Sequence, residues 1–163
     1  VGENYAQEAA AKLTEITTTP TVHFIGRLQR NKVRLLAPHV DVWQTVDRPE
    51  LATEIAKRAP GAKVMIQVDI SGEENKGGCG PDTTEDLVMH ASDAGLEVIG
   101  LMGVALLAEP QAARPGFSVL RRLVDRLDLD ECSMGMSADL EIAVDEGATM
   151  VRIGRDLFGE RLG

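Results

Sequence analysis

The sequence contains few cysteines and no hydrophobic stretch long enough to cross a membrane. A membrane-spanning helix needs about 20 consecutive apolar residues, and no run in this chain approaches that length. No signal peptide opens the sequence. The two cysteines, Cys79 and Cys132, lie far apart and match no zinc or redox spacing, so we expect reduced thiols. These absences argue against membrane proteins and secreted disulfide scaffolds, and they favour a cytoplasmic protein.

Basic residues are also scarce. The chain has 17 Lys and Arg residues against 26 Asp and Glu residues, which gives a formal net charge of −9 at pH 7. That charge argues against nucleic acids and anionic membranes as partners. Of the 163 residues, 44% are hydrophobic, and no internal repeat, linker or low-complexity tract divides them. We therefore expect a single domain spanning residues 1–163 with a sizeable buried core.

Short β-branched runs alternate with longer amphipathic segments along the chain. The runs predict six strands, at Val22–Ile25, Val42–Val46, Val64–Ile70, Val98–Met102, Cys132–Met134 and Met150–Ile153. The longer segments predict helices at Asn4–Leu13, Leu28–Leu36, Pro49–Ala59, Thr84–Ala94, Gly116–Leu127 and Ala138–Asp145. Such regular alternation predicts an α/β fold, with a parallel sheet covered by helices.

A parallel α/β domain takes one of two main forms, a doubly wound sheet or a (β/α)8 barrel. Periodicity alone does not choose between them. The segment from Phe24 to Leu28 has one glycine where a dinucleotide-binding loop needs three. The chain also opens at Val1 without an initiator methionine. If the fold is a barrel, six strands fall two short of closure, and we expect that the missing start of the chain held them.

Small and hydroxyl-bearing residues follow the last two predicted strands. Ser137 precedes the last predicted helix, and Gly154 follows the last predicted strand. In barrels, phosphate groups often bind the loops after strands seven and eight, where backbone N–H groups at helix starts point at the anion. The Ser137 hydroxyl would add a donor to such a site. In the alternative interpretation, Ser137 only caps the helix and Gly154 only forms a turn.

Arg152 lies inside an apolar strand, where its guanidinium needs a partner to offset the cost of burial. At the mouth of a parallel sheet it would donate to a ring nitrogen or an anion. The alternative is a structural ion pair with Asp69 or Asp139. His23, taken alone, is more typical of a hydrogen-bonded core histidine than of a catalytic one. Gln67 shares one side of its predicted strand with Asp69, which is compatible with either a site or simple packing.

Five clusters occur together and in order, at Gly2–Tyr5, His23–Lys32, Gly100–Met102, Ser133–Asp139 and Val151–Gly154. With them the sequence resembles the pyridoxal 5′-phosphate homeostasis protein family, which is related to the N-terminal barrel domain of alanine racemase. The resemblance covers essentially the whole chain. It implies a (β/α)8 TIM-barrel fold, here lacking its first one or two strands, which holds pyridoxal 5′-phosphate (PLP) at the carboxyl ends of its strands.

The resemblance also implies which residues bind PLP. The Ser137 hydroxyl and the backbone around Gly154 and Arg155 would hold the phosphate. Arg152 would face the pyridine nitrogen and keep it largely unprotonated, which makes the ring a weaker electron sink than an aspartate partner does. The remaining contacts would come from Asn4 and His23 near the ring and from Met65 and Met102 beneath it.

The sequence departs from the family pattern in two places. Arg155 stands where relatives commonly have threonine, so a hydroxyl contact to the phosphate is lost. The Schiff-base lysine of the family ends the first strand, upstream of the Gly2–Tyr5 cluster that opens this chain. We therefore expect no catalytic residue and no covalent attachment of PLP through the five lysines present, which are Lys12, Lys32, Lys57, Lys63 and Lys76.

Three functions remain open at this point. The first is a non-catalytic PLP-binding protein of vitamin B6 and amino-acid homeostasis, with PLP-dependent enzymes as clients. The second is a PLP-dependent amino-acid racemase-like enzyme, and the third is a phosphate-binding barrel enzyme without B6 chemistry. The family stands as a single barrel, without the second domain that supplies a racemase with its catalytic tyrosine. Only Tyr5 is present here, which favours the first function.

Overall fold

The computed structural model describes residues 1–72, 77–105, 110–154, 157 and 159. Its strands are β1 (Gly2–Glu3), β2 (His23–Phe24), β3 (Val42–Val46), β4 (Lys63–Val68), β5 (Glu97–Gly103), β6 (Glu131–Met136) and β7 (Met150–Arg152). Its α-helices are α1 (Ala6–Glu15), α2 (Val33–Leu36), α3 (Pro49–Arg58), α4 (Thr84–Asp93), α5 (Arg114–Arg126) and α6 (Leu140–Asp145), with short 3-10 helices at Arg30–Lys32 and Pro110–Ala113. Among the described residues, no helix has the length and apolar character needed to cross a membrane.

The strands form one seven-stranded sheet whose spatial order follows the order of the chain, from β1 to β7. Every neighbouring pair is parallel. A doubly wound sheet reverses its strand order at a switch point, whereas a (β/α)8 barrel keeps adding strands in the same direction. The observed order therefore excludes the doubly wound form and confirms a barrel-type α/β fold.

Contacts between distant strands show that the sheet curls round on itself. Gln44 Nε2 on β3 lies 3.0 Å from Sδ of Met150 on β7. In a flat sheet, four strand spacings of about 4.8 Å would hold these strands roughly 19 Å apart. Ser133 Oγ on β6 also reaches Gln44 Oε1, at 2.7 Å. The seven strands thus form a barrel that is one strand short of the eight in a closed (β/α)8 fold.

Apolar side chains fill two layers, one outside the barrel and one inside it. The outer core lies between the sheet and the helices and includes Phe117, Leu120 and Val124. These three residues recur at the spacing that places side chains on one face of α5. Met65 on β4 and Met102 on β5 are buried but do not belong to the outer core. They point into the barrel, because successive side chains of a strand alternate between its two faces.

The sequence predicts six strands, and this number is wrong, since β1 is a seventh. Two residues are too few to show an alternating pattern, and β1 is defined by its backbone pairing with His23–Phe24. The last helix also begins later than predicted, at Leu140 rather than Ala138. The reason is local, because Asp139 Oδ1 accepts the backbone N–H of Met136 at 2.6 Å and closes a turn before the helix.

Gly135 allows α6 to pack closely against the end of β6. Its φ of 92° lies in the left-handed region, which side chains other than glycine rarely adopt. A Cβ atom at this position would also lie 2.4 Å from the Cβ of Ala143 on α6. Glycine is therefore required where β6 turns into the loop that carries Ser137.

Candidate functional site

The carboxyl ends of β6 and β7 lie side by side and bring three predicted site residues to one edge of the barrel, Ser137, Arg152 and Gly154. Met136 at the end of β6 is in register with Arg152 at the end of β7. Ser137 and Gly154 follow these two positions, one in each loop. Ser137 is half-buried and Gly154 is exposed, with no atom near the position that a Cβ would take. This edge offers a hydroxyl group and open backbone where an anion can approach.

Arg152 reaches from β7 into the barrel and is held there by two hydrogen bonds. Its Nη1 donates to Ser133 Oγ at 2.9 Å, and its Nη2 donates to the backbone carbonyl of Gly103 at 2.8 Å. A guanidinium has five N–H donors. Contacts with the described residues therefore leave further donors on Arg152 for another partner.

The ion pair that the sequence leaves open for Arg152 does not form within the described residues. Asp139 Oδ1 accepts the N–H of Met136, and Asp69 Oδ1 accepts three donors in the loop at Ser71 and Gly72. Burial lowers the pKa of Arg152 to about 10, although the negative charge of Asp139 acts in the opposite direction. Arg152 thus stays protonated at neutral pH without direct neutralisation by a carboxylate.

A chain of hydrogen bonds runs from Arg152 across the barrel interior to His23. Ser133 Oγ receives the Arg152 donor and itself donates to Gln44 Oε1. On the other side of the amide, Gln44 Nε2 lies 2.8 Å from His23 Nδ1. Since the amide nitrogen is a donor, His23 Nδ1 must accept, and the ring proton must be on Nε2. The chain therefore joins β2, β3, β6 and β7.

His23 is suited to this acceptor role because its neutral form is favoured. Burial is the main factor that lowers its pKa. The carboxylates of Asp41 and Glu131 act in the opposite direction. At neutral pH the ring thus provides a lone pair at Nδ1, and the structure supports a hydrogen-bonded histidine rather than a free acid or base.

Asn4 follows β1 and is exposed, and its backbone packs against Gly26. A Cβ on Gly26 would lie 1.8 Å from the carbonyl oxygen of Asn4, so only glycine fits there. Within the described residues, no hydrogen bond links the Asn4 side chain to Arg152 or Ser137. Arg155, the other predicted phosphate contact, lies outside the described residues.

Two of the lysines that the structure describes form ion pairs with carboxylates. Lys12 on α1 pairs with Glu3, and Lys63 at the start of β4 pairs with Glu97. Lys76 lies outside the described residues. No group of three or more potential metal ligands occurs in the ranges that the structure describes.

Gln44 and Ser133 are the interior residues that the sequence analysis did not assign to the site. Gln44 is 1% exposed and Ser133 is 0% exposed. A signal was present for Gln44, because an amide side chain interrupts the apolar run of β3 and must find partners inside the protein. Ser133 gave no comparable signal, since a single small hydroxyl residue between Cys132 and Met134 is unremarkable in a strand.

Comparison with protein families matches residues 1–162 to the N-terminal domain of alanine racemase. The pyridoxal phosphate homeostasis protein of Aquifex aeolicus is 43% identical, and the match covers 98% of this chain and 76% of that protein. The human protein of the same name is 38% identical, with 98% of this chain and 67% of the human protein covered.

Solved structures show the same similarity in three dimensions. The PipY protein of Synechococcus elongatus, solved with PLP bound, superposes with a TM-score of 0.83 at 34% identity. The superposition covers 97% of this chain and 80% of PipY. The lysine decarboxylase of Selenomonas ruminantium superposes with a TM-score of 0.70 at 20% identity, which shows a shared fold alone.

Proposed function

The chain belongs to the pyridoxal phosphate homeostasis protein family, which shares the alanine racemase N-terminal domain, and we propose that it binds PLP without catalysing a reaction. In this proposal it acts as a single domain in the cytoplasm. It serves intracellular vitamin B6 and amino-acid homeostasis, and its partners are PLP and the enzymes that use PLP.

The proposed site uses the edge formed by the ends of β6 and β7. The Ser137 hydroxyl donates to the phosphate group, and the backbone around Gly154 and Arg155 lies against the same group. Arg152 directs a free N–H donor at the pyridine nitrogen. Asn4 and His23 complete the site near the ring.

The described residues fit a phosphorylated pyridine ring on two counts. Gly154 leaves open space at its Cβ position, as a bulky anion close to the backbone requires. Arg152 retains N–H donors after its bonds to Ser133 and Gly103, and it carries a charge that no carboxylate in the described residues neutralises directly. The positive charge and the free donors suit an acceptor ligand.

Arg152 is the observation that carries the proposal. Its guanidinium is held inside the barrel at the carboxyl end of β7, where ligands bind in this fold. Bound PLP supplies an electron-withdrawing pyridinium when an acid protonates its ring nitrogen. Because arginine keeps its own proton at neutral pH, Arg152 leaves that nitrogen unprotonated and the ring a poor electron sink. This arrangement disfavours reactions that need a strongly stabilised carbanion, and it is compatible with storage of the vitamer.

His23 supports a role without catalysis. Its Nδ1 is committed to the Gln44 amide, and its pKa is lowered by burial. A racemase-like enzyme needs groups that exchange protons with the substrate on both faces of the ring, and a histidine fixed as a neutral acceptor is a poor candidate. The names of the curated relatives also describe homeostasis rather than an enzymatic reaction.

Equilibrium binding of PLP tests the proposal. We expect Arg152→Ala and Ser137→Ala to weaken binding by roughly tenfold or more each, since a hydrogen bond involving a charged group contributes about 1.5–3 kcal/mol. Ser92→Ala, at an exposed position of α4, removes the same hydroxyl as Ser137→Ala and serves as its matched control. Lys32→Ala removes a positive charge outside the proposed site.

The two controls should retain the affinity of the unchanged chain, and pyridoxal without phosphate should bind weakly. Thermal melting of each variant separates lost binding from lost folding. Equal affinity in all four variants would contradict the assigned site. Failure of the unchanged chain to bind PLP would contradict the proposed function itself.

A further inference from the structure

We infer that Gln44 and Ser133 are positioning residues that aim the guanidinium of Arg152 at the ring nitrogen of the ligand. This inference rests on the proposed function and extends it to residues that do not touch the ligand. The observation behind it is the hydrogen-bonded chain inside the barrel, in which Ser133 Oγ lies between Arg152 Nη1 and Gln44 Oε1.

The orientation of the Gln44 amide sets the direction of the hydrogen bonds in this chain. Its Oε1 faces Ser133 Oγ, and its Nε2 faces His23 Nδ1 and Met150 Sδ. Because Oε1 can only accept and Arg152 can only donate, Ser133 Oγ accepts from Arg152 and gives its own proton to Gln44 Oε1. Each group has one consistent orientation, so the position of the guanidinium is set by residues on three other strands.

Burial makes this chain rigid. Gln44 and Ser133 are almost fully buried, so bulk water cannot replace a partner that is removed. An unsatisfied polar group in such a place is costly, and the remaining groups must rearrange to avoid it. An alternative partner for Arg152 is the Asp139 carboxylate, whose charge already acts on the guanidinium. Without Ser133, we expect the guanidinium to turn toward Asp139 and away from the ring nitrogen.

The test compares PLP with its 1-deaza analogue, in which a C–H group replaces the pyridine nitrogen. Both compounds carry the same aldehyde and phosphate, so the ratio of their affinities reports the contact to the ring nitrogen. The unchanged chain should bind PLP about tenfold more tightly than the analogue, as expected for one hydrogen bond from a charged donor. Ser133→Ala should reduce this preference to about twofold or less, whereas Ser133→Thr, which keeps the hydroxyl, should restore it.

Gln44→Met is the second variant, and it keeps the side-chain length while removing both polar atoms. It should also reduce the preference, because Ser133 then loses its acceptor. Thr45→Val is the matched control on the same strand. Thr45 follows Gln44 in β3 and is buried, and its hydroxyl has no hydrogen-bond partner among the described residues. This control should retain the tenfold preference.

The outcomes distinguish failure of the positioning role from failure of the proposed function. A full preference for PLP in Ser133→Ala or in Gln44→Met would overturn the positioning role and leave the proposed function standing. Equal binding of PLP and the analogue by the unchanged chain would also overturn it, because Arg152 would then make no contact with the ring nitrogen. Absence of PLP binding by the unchanged chain would overturn the proposed function and this inference together.

Discussion

Replacement of Arg152 by methionine should weaken PLP binding and yet leave the ligand-free fold about as stable. The guanidinium is held inside the barrel without a carboxylate partner in the described residues, and burial lowers its pKa from its ordinary value to about 10. At about 1.4 kcal/mol for each tenfold change, the cost of keeping the charge there is roughly 3 kcal/mol. Both pKa values lie well above 7, so the full cost is present at neutral pH.

The hydrogen bonds of Arg152 offset part of this cost. Loss of the bonds to Ser133 and Gly103 removes about 1.5 kcal/mol each, the lower end of the range for a charged donor, while methionine fills most of the volume of the arginine stem. The two effects nearly cancel, so we expect the unfolding free energy to stay within about 1 kcal/mol of that of the unchanged chain, measured by urea denaturation without ligand. A loss of more than about 2 kcal/mol would refute the reasoning and make Arg152 a structural residue.

Three further predictions concern other parts of the molecule. Gly26→Ala should lower the free energy of unfolding by at least about 2 kcal/mol in urea denaturation, because its Cβ would overlap the Asn4 carbonyl oxygen, and a smaller loss would show that the backbone adjusts freely. The free energy of unfolding should fall as the pH drops below about 6.5. The reason is that His23 takes up a proton more readily in the unfolded chain than in the folded chain, where its pKa is lowered. Melting curves should show that His23→Gln flattens this pH dependence, and His39→Gln is the control that should not. In a Cys79→Ala background, Cys132, whose pKa burial raises to about 11, should react with a thiol reagent at pH 8 only after unfolding, and rapid reaction of that folded variant would contradict its burial.

Elements with a clear periodic pattern were predictable from the sequence. Strand β3 occupies the predicted residues, Val42–Val46, and the predicted helices at Pro49 and Thr84 begin at those positions. In a sheet covered by helices, a short buried apolar run forms a strand and an amphipathic repeat forms a helix. The two-residue strand β1 has no pattern of its own, so its existence depends on pairing with a partner distant in the sequence.

The edge that carries the candidate site was predictable because parallel strands end on the same side of a sheet. Ser137 and Gly154 follow adjacent strands, so this rule predicts that they lie close together. Their roles toward the phosphate stay predictions, as do those of Asn4, His23 and Arg152 near the ring. Arg155 lies outside the described residues.

The hydrogen-bonded chain behind Arg152 was not predictable in the same way. Ser133 and Gln44 are 89 positions apart in the sequence, and they meet only because the sheet curls until β3 faces β6. The curvature depends on the twist of all the strands together, which no local pattern reports. The sequence therefore indicated a need for partners at Arg152 without identifying which residues meet that need.

A crystal structure of this chain with PLP tests the central claim most directly. The account predicts that the phosphate lies within hydrogen-bond distance of the Ser137 hydroxyl and the Gly154 backbone N–H. It also predicts that the pyridine nitrogen lies about 3 Å from the Arg152 guanidinium. PLP bound at another place, or bound here with its ring nitrogen turned away from Arg152, would contradict the account.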